Sequence, residues 1–124
     1  MTDIQADTLT LNGVEYIKKG SLQPAEKHEC MPYCIVRTYS AGVFAGYVKE
    51  RNGKEGTVCR ARRLHYWDGA ASLSQLSLEG VKKPENCRFP AEVPFVELTE
   101  IIEVLPCSQA AKANIENVPI WEMK

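Results

Sequence analysis

The sequence predicts an α+β domain, built on a twisted, mostly antiparallel sheet of five to seven strands, open or barrel-like, with two short helices. Three observations support this fold class. Segments rich in β-branched and aromatic residues recur along the chain and are typical of strands. Two Asn-Gly dipeptides favour tight hairpin turns. Two short segments follow a capping residue and carry apolar residues at helical spacing.

The length and composition of the chain indicate a single folded domain. The chain has 124 residues, of which 44% are hydrophobic and 25% charged, as in ordinary globular proteins. We divide it into an N-terminal hairpin and connecting loop (1–32) and a core domain (33–124). No signal peptide or membrane-spanning apolar run is visible, and five cysteines, an odd count, suggest reduced thiols in a cytoplasm.

Two hairpins are predicted in the first half. Asn12-Gly13 lies between two short strand-like segments, and a polar loop over 18–32 follows it. Residues 33–40 are predicted as a strand. Strands over 43–51 and 54–62 flank Asn52-Gly53, the strongest hairpin signal in the chain.

A two-residue loop at Asn52-Gly53 would pair Arg51 with Lys54 and thereby set the register of the hairpin. Phe44 then lies opposite Ala61 on an apolar core face. The opposite face carries Tyr47 among basic residues. The alternation fails at Arg62-Arg63, where we expect a bulge or the end of the strand.

Two helices are predicted in the second half. Asp68 can cap a helix over 69–79, with Gly80 just past its C-terminus. Ser108 can cap a second helix over 109–117.

The segments around these helices are less regular. Residues 81–94 form a proline-punctuated loop. The apolar runs 95–98 and 101–105 fit either a helix or two strands, and we favour two strands with a break near Thr99-Glu100. Residues 118–121 form an extended segment whose tryptophan docks on the domain.

One run combines arginines with aromatic residues at the predicted end of the hairpin. Guanidinium groups bind phosphate and aromatic faces stack on bases, so this mixture suits a nucleotide ligand. Alternatively, the arginines pair with the glutamates of 92–103, and the aromatics anchor the core. The candidate ligand-binding residues are Arg60, Arg62, Arg63, His65, Tyr66 and Trp67, joined by Arg37 and Tyr39 from the preceding strand.

Charge and motifs disfavour other classes of function. The formal net charge is −1, which provides no global field toward nucleic acid or membrane, although 49–67 is net basic and 85–124 net acidic. His28, Cys30 and Cys34 are zinc-ligand types, but no second pair completes a site, so neither metal nor cofactor is predicted. The chain has no nucleophile elbow and no Walker loop, which favours a binding protein over an enzyme.

Several motifs resemble a family of small bacteriophage and prophage proteins that has no assigned activity. The resemblance implies a phage gene product in the cytoplasm of a bacterial host and supplies no catalytic residues. The motifs are Arg-Thr-Tyr-Ser-Ala-Gly within 35–46, Ala-Arg-Arg-Leu-His-Tyr-Trp-Asp-Gly-Ala-Ala-Ser-Leu-Ser-Gln-Leu at 61–76, Pro-Glu-Asn-Cys-Arg-Phe-Pro at 84–90, and the closing segments 101–107 and 118–121.

The leading hypothesis is a homo-oligomeric, non-enzymatic protein that captures a small phosphorylated, nucleotide-like ligand. By analogy of size, origin and site chemistry, it would be an anti-defence protein that sequesters an immune signal. Arg60, Arg62 and Arg63 would hold phosphate, Tyr66 and Trp67 would stack on the base, and His65 would add a hydrogen bond. The alternatives are a protein-interaction or virion-accessory module, and a single-stranded nucleic-acid-binding protein, which the near-neutral charge disfavours.

Overall fold

A computed structural model describes residues 23–122 and confirms the α+β class, with five strands and two helices. The sheet is antiparallel, has the order β4-β3-β2-β1-β5, and is not closed into a barrel. The predicted hairpin at Asn12-Gly13 lies outside the described residues. The elements are β1 (Tyr33–Thr38), β2 (Val43–Asn52), β3 (Glu55–Arg63), α1 (Leu73–Glu79), β4 (Val93–Leu98), β5 (Ile101–Pro106) and α2 (Gln109–Glu116).

The choice of two strands near Thr99-Glu100 is confirmed by β4 and β5. These strands lie at opposite edges of the sheet, although only Thr99-Glu100 separates them in the chain. The two edges must therefore converge here, and Ile101 donates its backbone N–H to the carbonyl of Lys54 at the hairpin turn (2.8 Å). The sheet is consequently strongly curled.

The curled sheet buries residues on both faces. Helices α1 and α2 cover one face, whose core includes Ile35, Leu76 and Ile115. The other face curls around a second hydrophobic cluster, which includes Val36 and Phe44. We predicted from the sequence that only one face of the hairpin belongs to the core. This prediction is wrong, because Tyr47, which lies on the face predicted to be basic, is only 4% exposed.

The central hairpin is confirmed, but its predicted register is wrong. Asn52 pairs with Glu55, so the turn is formed by Gly53-Lys54. Gly53 has φ +64°, and a glycine at the first central position is typical of a type II′ turn. Every pair of the hairpin is displaced from the predicted register, and Phe44 lies opposite Arg63 rather than Ala61. Two register shifts along the hairpin, one at Lys49 of β2 and one at Arg60-Ala61 of β3, offset each other.

The expected irregularity lies at Arg60-Ala61 rather than at Arg62-Arg63. Two residues of β3 there oppose the single Gly46 of β2, which is a β-bulge. A Cβ on Gly46 would lie 2.8 Å from the carbonyl oxygen of Cys59, so this close approach requires glycine. After the bulge, successive side chains of β3 again point to opposite faces of the sheet, so Arg62 is buried and Arg63 is exposed.

The helix at Ser108 is confirmed, whereas the other helix is shorter than predicted. Ser108 accepts a hydrogen bond from the N–H of Ala111 (3.0 Å). Helix α1 begins at Leu73 and is capped by Ser72, so the assignment of Asp68 as the cap is wrong. Gly69 has φ +99°, which is incompatible with a helix starting there.

Candidate functional site

A cavity of about 360 Å³ lies against the helix-covered face of the sheet, next to the Arg60 bulge. Strands β1 and β3 contribute one side of it. The C-terminal end of α2 and the extended segment after it contribute another. Its lining residues are Tyr33, Arg60, Arg62, Glu92, Glu116, Val118 and Ile120.

Arg62 forms the most deeply buried charged part of this cavity and is 7% exposed. Among residues 23–122, its side chain donates only to backbone carbonyl oxygens. Nε donates to Pro90 (2.9 Å), Nη1 to Ile115 (2.8 Å), and Nη2 to Phe89, Val118 and Pro119 (3.0, 2.7 and 3.2 Å). Arg62 therefore ties the loop before β4, the end of α2 and the C-terminal segment to the sheet.

Within residues 23–122 no carboxylate lies within salt-bridge distance of Arg62. Burial lowers the pKa of its guanidinium from the usual value, but such a group stays protonated in proteins. A guanidinium has two Nη1 N–H bonds, and only one has an acceptor among the described residues. The wall of the cavity thus contains a buried positive charge that has one Nη1 N–H without an acceptor among the described residues, and such a group can bind an anion.

Arg60 lies at the exposed side of the cavity. Its backbone has φ +50°, a left-handed conformation that is unusual for arginine. The bulge places its guanidinium 5.8 Å from the centre of the Tyr47 ring and its Nε 3.2 Å from Glu92 Oε2. The hydrogen bond with Glu92 raises the pKa of Arg60 above its usual value.

Tyr33 supplies a phenol to the buried end of the cavity. It is 5% exposed, and burial raises the pKa of its hydroxyl well above the usual range, so the group remains a neutral donor. The described part of the chain offers this hydroxyl no hydrogen-bond partner. The remaining carboxylate, Glu116, has its own cation, because its Oε2 lies 3.1 Å from Lys112 Nζ.

The structure separates the predicted arginines. Arg63 points to the opposite face of the sheet, where it donates to the carbonyl of Ala41 and lies 4.4 Å from the centre of the Phe44 ring. Arg37 pairs with Glu103 (3.1 Å) at the β1–β5 edge. Of the predicted arginines, only Arg60 and Arg62 line the cavity.

The predicted aromatic residues also lie outside the cavity. Tyr39 is 78% exposed beyond the end of β1. His65 and Tyr66 belong to an exposed cluster with Trp121. Trp67 packs partly buried against the helix-side core.

Sequence reasoning missed Tyr33, Glu92 and Glu116 as cavity residues. Nothing local distinguishes them, since a tyrosine at a strand start and a surface glutamate are both ordinary. The arginine-glutamate pairing that the sequence left open does occur at Arg60 and Glu92.

Other kinds of site find no support in the described range. No group of three or more His, Cys, Asp or Glu residues between 23 and 122 could hold a metal ion. Among the helices described, none is long and apolar enough to cross a membrane.

Comparison with known proteins identifies a family but no activity. No curated protein and no solved structure matches this chain. One family model matches residues 31–115, which include all five strands and most of α2. The chain therefore belongs to the family described as Domain of unknown function (DUF6948).

Proposed function

We propose that the protein binds a small phosphorylated, nucleotide-like ligand, without chemical turnover, and that the phosphate occupies the cavity beside Arg62. The observation that carries the proposal is the buried Arg62 guanidinium, which lines the cavity, has no carboxylate partner among residues 23–122, and retains an unused Nη1 donor. An anion entering the cavity would supply the missing counter-charge.

Two neighbouring groups would complete the phosphate site. The Tyr33 hydroxyl is a neutral donor at the buried end. Arg60 would turn from Glu92 toward the ligand. The half-exposed ion pair that it gives up contributes only about 0–1 kcal/mol, while the Glu92 carboxylate that stays in the cavity wall opposes the anion. The ligand therefore meets two arginines, whereas Arg63 contributes nothing to this site.

The biological setting is part of the same proposal. We assign the protein to a phage, acting in the cytoplasm of a bacterial host, where it would sequester a nucleotide immune signal. The support is the resemblance of the 61–76 and 84–90 motifs to small phage proteins. We further propose a homo-oligomer, because a ligand with two phosphates can be held by arginines from two subunits.

Isothermal titration calorimetry with inorganic phosphate, mononucleotides and cyclic dinucleotides tests the proposal. The wild type should release heat with at least one phosphorylated compound. Arg60→Gln and Tyr33→Phe should each weaken that binding about tenfold, a loss of ~1.4 kcal/mol. Arg51→Gln is the matched control, since the Arg51 side chain lies outside the cavity and donates to the Gly53 carbonyl within its own hairpin turn.

Two results would reject this function. One is the absence of heat from the wild type with every compound in the panel. The other is an equal loss of affinity in Arg51→Gln and Arg60→Gln, because the effect would then reflect net charge alone.

A protein-interaction or virion-accessory module is the second candidate. The observation in its favour is the exposure of Val93 (46%) and Phe95 (54%) on edge strand β4. Such apolar side chains on an edge strand can serve as a binding surface. A stoichiometric protein partner recovered from infected cells, and lost with Phe95→Ser, would support this alternative.

A further inference from the structure

A small ribbon of three extended segments lies beyond the end of β3, outside the main sheet. Tyr66 forms an antiparallel bridge with Arg88, and Phe89 forms a parallel bridge with Ile120. Arg88 N–H donates to the carbonyl of Tyr66 (2.7 Å), and Trp121 N–H donates to that of Phe89 (3.0 Å). These backbone bonds hold the side chains of the ribbon in defined positions.

Four side chains of the ribbon form a continuous row, which we call the stacking platform: His65, Trp121, Arg88 and Tyr66. The His65 and Trp121 rings are nearly parallel, with an interplanar angle of 8° and centroids 5.5 Å apart. The Arg88 guanidinium carbon lies 5.7 Å from the centre of the Trp121 ring and 5.8 Å from that of Tyr66. Planar groups therefore follow one another along the row.

The platform is exposed, which a purely structural cluster does not require. Tyr66 is 51% and Trp121 39% exposed, whereas the adjacent Leu64 and Phe89 are buried and anchor the ribbon. In the described range Arg88 has no carboxylate within salt-bridge distance. The platform thus combines exposed aromatic side chains with a cation that has no carboxylate partner among the described residues.

We propose that the stacking platform binds the bases of a single-stranded nucleic acid, with Arg88 contacting a phosphate. Aromatic rings at a protein surface stack on unpaired bases of any identity, and an adjacent arginine adds charge complementarity to the backbone. A duplex hides its base faces and is excluded by this geometry. The site is distinct from the one proposed above, since none of its four residues lines the cavity.

The low net charge of the protein predicts a weak salt dependence of binding at this site. The whole chain has a formal net charge of −1, so few phosphates are neutralised and binding depends mainly on stacking. Each phosphate contact to a single strand contributes about −0.7 to the slope of log K against log salt. With Arg88 as the phosphate contact, we expect a slope of about −0.7, far shallower than that of a basic nucleic-acid-binding protein.

Fluorescence anisotropy with a labelled oligothymidylate of about eight nucleotides tests the proposal. Tyr66→Ala should weaken binding about tenfold, and Arg88→Gln should make the salt slope shallower by about 0.7. Tyr39→Ala and Arg37→Gln are the matched controls, because they remove an exposed tyrosine and a half-exposed arginine elsewhere on the surface. Circular dichroism verifies that each variant is folded.

The outcomes separate clearly. Binding of the single strand but not of the matching duplex, lost in Tyr66→Ala and retained in Tyr39→Ala, supports the site. The proposal is overturned if the wild type ignores the single strand, if duplex binds equally well, or if the control variants lose as much affinity. It also fails if Arg88→Gln leaves the salt slope unchanged.

Discussion

Replacing Arg62 with methionine tests whether this arginine ties the C-terminal half of the chain to the sheet. The change preserves the bulk of the side chain and removes its donors to five carbonyl oxygens. Three of those hydrogen bonds, to Phe89, Ile115 and Val118, are buried. Each buried carbonyl left without a partner costs about 1–3 kcal/mol, which gives a range of about 3–9 kcal/mol.

We expect a loss near the lower end of that range. Methionine does not have to be desolvated as a guanidinium does, and the C-terminal segment can move to hydrate some carbonyls. The expected loss in free energy of unfolding for Arg62→Met is therefore about 3–5 kcal/mol, enough to unfold a marginally stable domain. Urea denaturation followed by circular dichroism measures it.

Arg63→Met is the matched control for this experiment. Arg63 is the next residue in the same strand but lies on the other face, where it is exposed and contacts Ala41 and Phe44. Its loss should cost about 1 kcal/mol or less. A folded Arg63→Met beside an unfolded Arg62→Met agrees with our interpretation, whereas equal, small losses in both variants would refute it.

Three further changes test other parts of the fold. Burial raises the pKa of the Cys34 thiol to about 11 and that of Cys107 to about 12, so the unfolded chain releases protons above about pH 9 that the folded protein keeps. The free energy of unfolding in urea should therefore fall by about 2–3 kcal/mol between about pH 8 and pH 10. Gly69→Ala should cost more than about 3 kcal/mol by urea denaturation, because its Cβ would lie 2.5 Å from the Lys82 nitrogen, whereas Gly53→Ala meets no atom and should cost about 1 kcal/mol. Ser108→Ala should cost about 2 kcal/mol by the same measurement, since Ser108 both caps α2 and donates to the Leu78 carbonyl.

Each of these predictions has a result that contradicts it. A Cys34→Ala, Cys107→Ala double variant that keeps the full pH dependence would show that the thiols are not its source. Equal costs at Gly69 and Gly53 would mean that the crowding at Gly69 is relieved by movement of its neighbours. If Ser108→Ala lowers the free energy of unfolding by no more than about 1 kcal/mol, the capping of α2 alone accounts for the loss and the hydrogen bond to Leu78 adds nothing.

The elements that local chemistry specifies were predictable. The serine cap at Ser108, the glycine after α1 and the strands flanking Asn52-Gly53 all depend on residues close together in the chain. The register was not predictable, because the choice between Asn52-Gly53 and Gly53-Lys54 as the turn depends on pairing along the whole hairpin. The bulge at Arg60 likewise depends on the close approach of Gly46 on the neighbouring strand.

The cavity was predictable only in part. The sequence singled out Arg60 and Arg62 from their density of charge, but the burial of Arg62 depends on carbonyl groups up to fifty-seven positions away. Backbone carbonyls leave no trace in amino-acid identity, so no sequence pattern shows which of three nearby arginines they will surround. For the same reason the separation of Arg62 from Arg63 could be learned only from the fold.

The most direct test of the central claim is an NMR titration that follows the side-chain N–H signals of Arg62 and Arg63 as a phosphorylated ligand is added. The hydrogen bond from Arg62 Nε to Pro90 should keep its signal in slow exchange with water. We predict that the Arg62 signal shifts and saturates with the dissociation constant found by calorimetry, while the Arg63 signal stays in place. A ligand that binds without moving the Arg62 signal would contradict the account.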